Sequence, residues 1–207
     1  MLLDLDEFAH LRPYLYHITA LENLPSVRRT RRLEPASALM RRAGRGDLVR
    51  WKRHVPVALA FDGATVLLKD QSQFIEENLA LRRELTFADY IEYMNDHVFF
   101  WPGTDRGPVK SGVELPYHGN GSMPVTIRVP FAGMLDANPA VEPLFCSVNS
   151  GARREPGSRR TPRGPHLFRN ALNFSLRPRN VVEVAFRQAV ELPPGASYLL
   201  EGEWAGV

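Results

Sequence analysis

The sequence predicts an α+β fold built mostly from short strands, and three observations predict it. Helical periodicity appears at residues 20–32 and again at 86–95, in the first half of the chain. A D-G dipeptide joins two apolar runs in the pattern of a hairpin. Further apolar, β-branched runs follow from residue 97 onward, with Pro, Gly and Asn between them. No repeat and no linker divides the 207 residues, so a single domain spanning 1–207 is expected.

Taken in order, ALENLPSVRRTRR carries apolar residues at Leu21, Leu24 and Val27, with Pro25 tolerable in the first turns of a short helix. HVPVALAF (54–61) and GATVLLKD (63–70) read as two strands joined at Asp62-Gly63. Thr86 is placed to cap a helix whose stripe is Phe87, Tyr90, Ile91 and Met94. HVFFW (97–101) reads as a buried strand ending at Pro102-Gly103. MPVTIRVPF, VEPLFCSV, NVVEVAFRQAV and SYLLEGEW supply the remaining strands. Two stretches, 102–124 and 149–180, read as long loops, which in a compact domain are functional sites or surface insertions.

The net charge of +3 hides a segregation. Residues 28–53 sum to about +8 and residues 150–180 to about +7, while the segments between and beside them are acidic. Of the 26 cationic residues most are arginine, which suits phosphate and stacks on bases, although arginine excess also follows from gene base composition. If the two blocks converge they form a polyanion site; if they do not, they are solvated loops. No apolar run reaches the ~18 residues of a membrane span, and MLLDLDEFAH lacks the pattern of a signal peptide, so a cytoplasmic location without membrane association is expected.

Most catalytic schemes fail on spacing. The six histidines are scattered without a ligand pattern, so no metal is assigned. There is no G-x-S-x-G elbow and no phosphate loop, and Cys146 sits in an apolar run, the setting of a buried hydrophobe. Two features remain. Tyr16-His17-Ile18-Thr19 sets an imidazole and a hydroxyl at alternate positions just before a helix. Glu183 is a carboxylate inside Val181-Val182-Glu183-Val184-Ala185-Phe186. His17 is then either a core histidine, with Thr19 as a helix cap, or a ligand contact. Glu183 either alternates onto a solvent face with Arg187 or is a buried acid with a task.

The run Leu15-Tyr16-His17-Ile18-Thr19-Ala20-Leu21-Glu22-Asn23-Leu24-Pro25-Ser26-Val27 closely resembles the opening of the DarT-type DNA ADP-ribosyltransferases, where Y-H-I-T leads into an N-L-P-S-I helix. Val182-Glu183-Val184, followed by Val190 and Pro193, is similar to that family's catalytic segment. DQSQ (70–73) and NDHVFFW (95–101) resemble a divergent branch of related domains. The resemblance is close over about 30 residues and loose elsewhere.

That resemblance implies an ADP-ribosyltransferase-like fold, with two facing, mostly antiparallel sheets, an NAD cleft between them and peripheral helices. It implies NAD as co-substrate, with His17 on a ribose hydroxyl, Ile18 backbone and Thr19 at the nicotinamide end, and Ser26 facing the cofactor. Glu183 would accept from the ribose 2′-OH, stabilise the positive charge that develops as the glycosidic bond breaks, and serve as base toward the acceptor. The family's arginine after the VFFW-like strand falls here on Gly103, and Arg106 is the nominated substitute, with Arg28 or Arg153 as the other candidates. The loop before the Glu183 strand would contact the acceptor, through Arg153, Arg154 and Arg163, with Phe168, Phe174 and His166 as stacking surfaces. A nucleic acid, single-stranded DNA or RNA, is the expected acceptor, and a toxin of this type implies an antitoxin protein. The residues leave open another NAD-linked reaction on this fold, such as RNA 2′-phosphate removal or NAD hydrolysis, and a non-enzymatic nucleic-acid-binding domain.

Overall fold

A computed structural model describes residues 2–109, 122–151 and 162–207. The elements are α1 (Leu5–Leu11), β1 (Tyr14–Ala20), α2 (Leu24–Thr30), β2 (Arg32–Leu33), α3 (Ala36–Arg42), β3 (Val57–Phe61), β4 (Ala64–Leu68), α4 (Glu76–Leu79) and α5 (Phe87–Asn95). They continue with β5 (Val98–Thr104), β6 (Gly107–Pro108), β7 (Pro124–Pro130), α6 (Phe131–Ala137), β8 (Pro143–Cys146), β9 (Glu183–Phe186), β10 (Val190–Glu191), β11 (Ser197–Leu200) and β12 (Glu203–Gly206). The chain is thus mixed α and β, and every strand pair is antiparallel. The main sheet runs β12-β11-β7-β1-β5-β9-β8, with β6 folded onto β5; β3-β4 and β2-β10 form two further pairs.

Local chemistry accounts for the elements read from sequence. Thr86 and Asp89 form a reciprocal capping box at the start of α5. Asp62 and Gly63 both have positive φ, 50° and 69°, the backbone of a tight hairpin turn whose hand matches the strand twist. The helix expected over 20–32 is split: residues 21–23 form a 3₁₀ turn before α2. Thr19 caps neither, since both N-terminal caps lack a side-chain bond. The strand expected to end at Pro102-Gly103 continues to Thr104, because β6 turns back onto it. Helices α1, α3 and α6 lie in stretches with no helical reading; α1 is capped by the Asp4 side chain, while α3 and α6 start after a proline without a side-chain cap.

β5 positions everything that follows. Its residues Trp101–Gly103 pair with Tyr14–Tyr16 of β1, and its residues Val98–Phe100 pair with Val184–Phe186 of β9. β1 meanwhile stays paired to β7 from Tyr14 to Ala20. Beyond Tyr16, therefore, β1 follows β7 away from β5, and the sheet forks. Strand alternation sends Val98, Phe100, Val184 and Phe186 into a core closed by Phe8 of α1 and Phe131 and Met134 of α6. Phe99, Ala185 and Cys146 face the opposite way, against Tyr93 of α5 and Phe168. Both faces of β9 are covered, so all four of its residues are buried.

The β3-β4 hairpin has its own core with α3, around Met40, Leu59, Val66 and Leu68. Buried Asn23 ties it to the fork. Its amide nitrogen donates to the Thr19 hydroxyl (3.0 Å) and the Leu67 carbonyl (2.9 Å), and its oxygen accepts from Leu67 N–H (2.7 Å). Asn23→Ala leaves the Leu67 N–H and C=O without these partners and is expected to cost about 2–3 kcal/mol in denaturant unfolding. Asn23→Asp sets a buried carboxylate oxygen against the Leu67 carbonyl and should cost at least as much.

Candidate functional site

A cavity of about 300 Å³ opens at the fork. His17, Ile18, Thr19, Ser26 and Glu183 all line it, so the structure brings together the residues singled out at the two ends of the chain. The His17 Nδ1 lies 2.9 Å from the Phe99 carbonyl oxygen. That contact needs a proton on Nδ1, which fixes the tautomer and leaves Nε2 as an acceptor. Burial pushes the His17 pKa below its ordinary value, against the Phe99 bond, so the ring is neutral at physiological pH. The imidazole occupies the gap where the β1-β5 ladder has stopped.

Glu183 is only 3% exposed, which excludes the solvent-facing reading; Arg187, by contrast, is exposed. Extending the β5-β9 register by one residue sets Glu183 level with Trp101, the residue at which β1 pairing ends. Its carboxylate accepts from the Ser150 N–H at 3.0 Å, and Ser150 is in turn held by the Tyr90 hydroxyl, which donates to its carbonyl at 2.8 Å. Burial dominates and pushes the Glu183 pKa from 4.5 up to about 7, against the Ser150 bonds and the charge of Arg163. Cys146 lies opposite Glu183 on β8; burial pushes its thiol up to about 12, so it is a packed hydrophobe and no nucleophile.

The wall across from the fork is a buried polar network that sequence reasoning did not assign. Arg53 donates from Nε to the Lys69 carbonyl (2.9 Å) and from Nη1 to the Asn95 oxygen (2.8 Å). Gln71 donates to the same Asn95 oxygen (3.0 Å), and Asn95 donates to the Val49 carbonyl (2.8 Å). DQSQ and NDHVFFW thus meet at one place, and the signal for it was their polar character beside apolar runs. Two wall residues keep unmet hydrogen-bonding atoms: the Trp101 indole N–H and the His97 Nε2, whose Nδ1 bonds the Tyr93 carbonyl at 2.7 Å.

Other expected residues lie elsewhere. Arg106 is exposed in the β5-β6 turn and does not line the cavity. Gly103 cannot carry the family's arginine, because a Cβ there would collide with the Gly107 carbonyl of β6. Arg163 is 4% exposed, so it is no surface contact; its charge acts inward on Glu183 and Tyr90. Arg153 and Arg154 fall outside the described residues. Phe168 and Phe174 are buried among other rings and offer no stacking face. Half of the ten cations in the first basic block form ion pairs: Arg32 with Glu191, Arg41 with Asp96, Arg42 with Glu34, Arg45 with Asp47, and Arg50 with Asp89 and Glu92.

A raised Glu183 pKa means the native state holds this proton more tightly than the unfolded chain. The group's contribution to stability therefore falls as pH rises from about 4.5 to about 7, and the deficit is complete above 7. Glu183→Gln carries no such penalty. Its unfolding free energy relative to the parent should rise by about 3 kcal/mol across that window, as read by denaturant melts at a series of pH values.

Residues 13–193 match the family described as "Family of unknown function (DUF7002)", a span that includes both His17 and Glu183. Comparison with curated proteins and with solved structures found no match. With 13–193 of its 207 residues covered, the chain belongs to the DUF7002 family.

Proposed function

We propose that the protein is an NAD-dependent ADP-ribosyltransferase acting on nucleic acid, and that its forked antiparallel sheet is an ADP-ribosyltransferase-like fold. The observation that carries this reading is the meeting of a neutral His17 and a buried Glu183 in one cavity at the fork. His17 Nε2 accepts from a ribose hydroxyl, while the edge of β1 beyond Tyr16, which has no β5 partner, presents Ile18 and Thr19 to the nicotinamide end. Ser26 and Arg53 line the same cavity, and Arg53 takes the anion-binding place first given to Arg106. Held by the Asn95 oxygen and the Lys69 carbonyl, its guanidinium is positioned for a pyrophosphate before any ligand arrives.

The co-substrate supplies an anomeric carbon with nicotinamide as leaving group. Glu183, once ionised, accepts from the ribose hydroxyl, stabilises the positive charge that develops there and takes the acceptor's proton. Ser150 N–H fixes the carboxylate's direction, and Arg163 favours its ionised form against burial. The arginine-rich stretch 152–161 is joined in sequence to Gly151, which lines the cavity, so a basic stretch of the chain starts at a residue of the site. That continuity supports a polyanionic acceptor.

Incubation with labelled NAD and separate pools of single-stranded DNA, RNA and protein tests the reading. Label should enter a nucleic-acid pool and be lost in Glu183→Gln, whose NAD affinity stays within about threefold because the transition-state contact is the one removed. His17→Ala should instead weaken NAD binding itself. Nicotinamide release without labelling would point to a hydrolase, and no NAD binding would sink the proposal. The rate of transfer should climb as pH rises through about 7, where Glu183 ionises, with no opposing limb from His17, already neutral there.

A further inference from the structure

The antiparallel register gathers a second set of residues on one face of the main sheet. Tyr16 pairs with Arg128 on one side and with Trp101 on the other. Leu199, two residues from the Arg128 partner Ser197, pairs with Trp204. Strand alternation therefore points these side chains, and that of Tyr14, the same way. The opposite face of the same strands buries Leu15, Ile127 and Val129 in the core, whereas none of the hydrophobic cores includes Tyr14, Tyr16, Leu199 or Trp204. The Arg128 guanidinium lies over two rings, 4.1 Å from the Trp204 centroid and 4.9 Å from that of Tyr14. Tyr16 is buried and packs against Trp204 at 6.4 Å, while Trp204 stays 39% exposed and Tyr14 half-buried. Among the described residues, Arg128 is the one charged group on this face of β12, β11, β7, β1 and β5, and it forms no ion pair. Glu203, one residue before Trp204, alternates to the other side.

The same row leads to the cavity, which Trp101 lines. From Arg128 through Tyr16 and Trp101 to the level of Glu183 is three strand spacings, about 14 Å at roughly 4.8 Å each. We propose that this face is a platform for single-stranded nucleic acid, with bases stacked on Trp204 and Tyr14, a phosphate on Arg128, and the strand directed along the row towards Glu183. Delivery to Glu183 rests on the nucleic-acid acceptor of the reading above; the binding itself does not. Every unpaired base offers a face to an exposed ring, and every phosphate a counter-charge to the arginine. An apolar protein partner would instead bury Arg128 without a counter-ion.

Fluorescence anisotropy of the full chain with a dye-labelled single strand of about 15 nucleotides, over a range of salt concentrations, tests this. The parent should bind the single strand at least about fivefold more tightly than a duplex of the same sequence, in which the base faces are covered. Trp204→Ala should weaken binding at least about fivefold with its salt slope unchanged, and Trp204→Phe, which keeps a ring, should stay within about twofold of the parent. Arg128→Gln should weaken binding and reduce the salt slope by about 0.7, the share of one phosphate contact. Circular dichroism checks folding, and Trp204, on the exposed edge strand β12, carries the test if Arg128→Gln does not fold. Absence of single-strand binding, equal affinity for the duplex, or parent-like binding by Trp204→Ala overturns the inference. NAD affinity, measured by calorimetry on the same proteins, separates the two readings. NAD bound while Trp204→Ala binds the strand like the parent removes the platform alone; a parent that binds no NAD, with the strand lost in Trp204→Ala, removes the transferase reading alone.

Discussion

The site depends on β5 pairing with β1 near one end and with β9 near the other. A strand of seven residues gives one end to β1 and the other to β9, so its two neighbours are held on opposite edges and at different heights. β1, bound to β7 over its whole length, is free to leave β5 after Tyr16. A fork in a sheet exposes backbone groups that pairing would have covered, and a buried carbonyl without a partner is expensive. His17 meets this cost at Phe99, which explains why a histidine stands at the branch. The bond that closes the fork also sets the imidazole tautomer, so the same contact that satisfies the fold leaves a neutral nitrogen acceptor at the cavity.

Glu183 is the complementary case, a group the fold tolerates without relieving. β9 is buried on both faces, and alternation alone would place an apolar residue at this position. The carboxylate keeps one backbone donor, Ser150, and feels Arg163, yet burial still outweighs both and holds it half-protonated near neutral pH. A fold selected for stability alone would have removed that penalty by one substitution. The carboxylate lines the same cavity as the neutral imidazole, so the position that costs stability also holds an ionisable group within a pocket.

Much of this was legible in the sequence because it is local. The Asp62-Gly63 turn, the Thr86 cap and the apolar runs each obey rules that operate over a few residues. The pair His17 and Glu183 was legible through resemblance, and through the oddity of an acid in an apolar strand. What could not be read was long-range. Arg53 looked like one cation in a basic block; its place in the cavity wall comes from bonds to Lys69 and Asn95 that only the fold creates. Phe168 and Phe174 looked like stacking faces because they sit in a polar loop, but the loop returns to the sheet, where Phe145 and Arg169 form a bridge, and both rings are buried. Arg106 looked close to the site in sequence, and the β5-β6 turn carries it outward.

The charge pattern shows the same limit most clearly. A count along the chain gives two basic blocks, and the first is the larger. In the fold five of its ten cations meet acids, and those of Arg32, Arg41 and Arg50 come from outside the block, so part of the segregation along the sequence becomes pairing in space. Such exposed pairs add little stability one at a time, but they cancel the field a polyanion would feel. The second block holds one acid, Glu155, against eight arginines over residues 150–180, but the fold buries Arg163 among them; its start at Ser150 and Gly151 lines the cavity that holds Glu183. The arginine-rich stretch and the buried carboxylate are therefore joined through Ser150, whose N–H bonds Glu183.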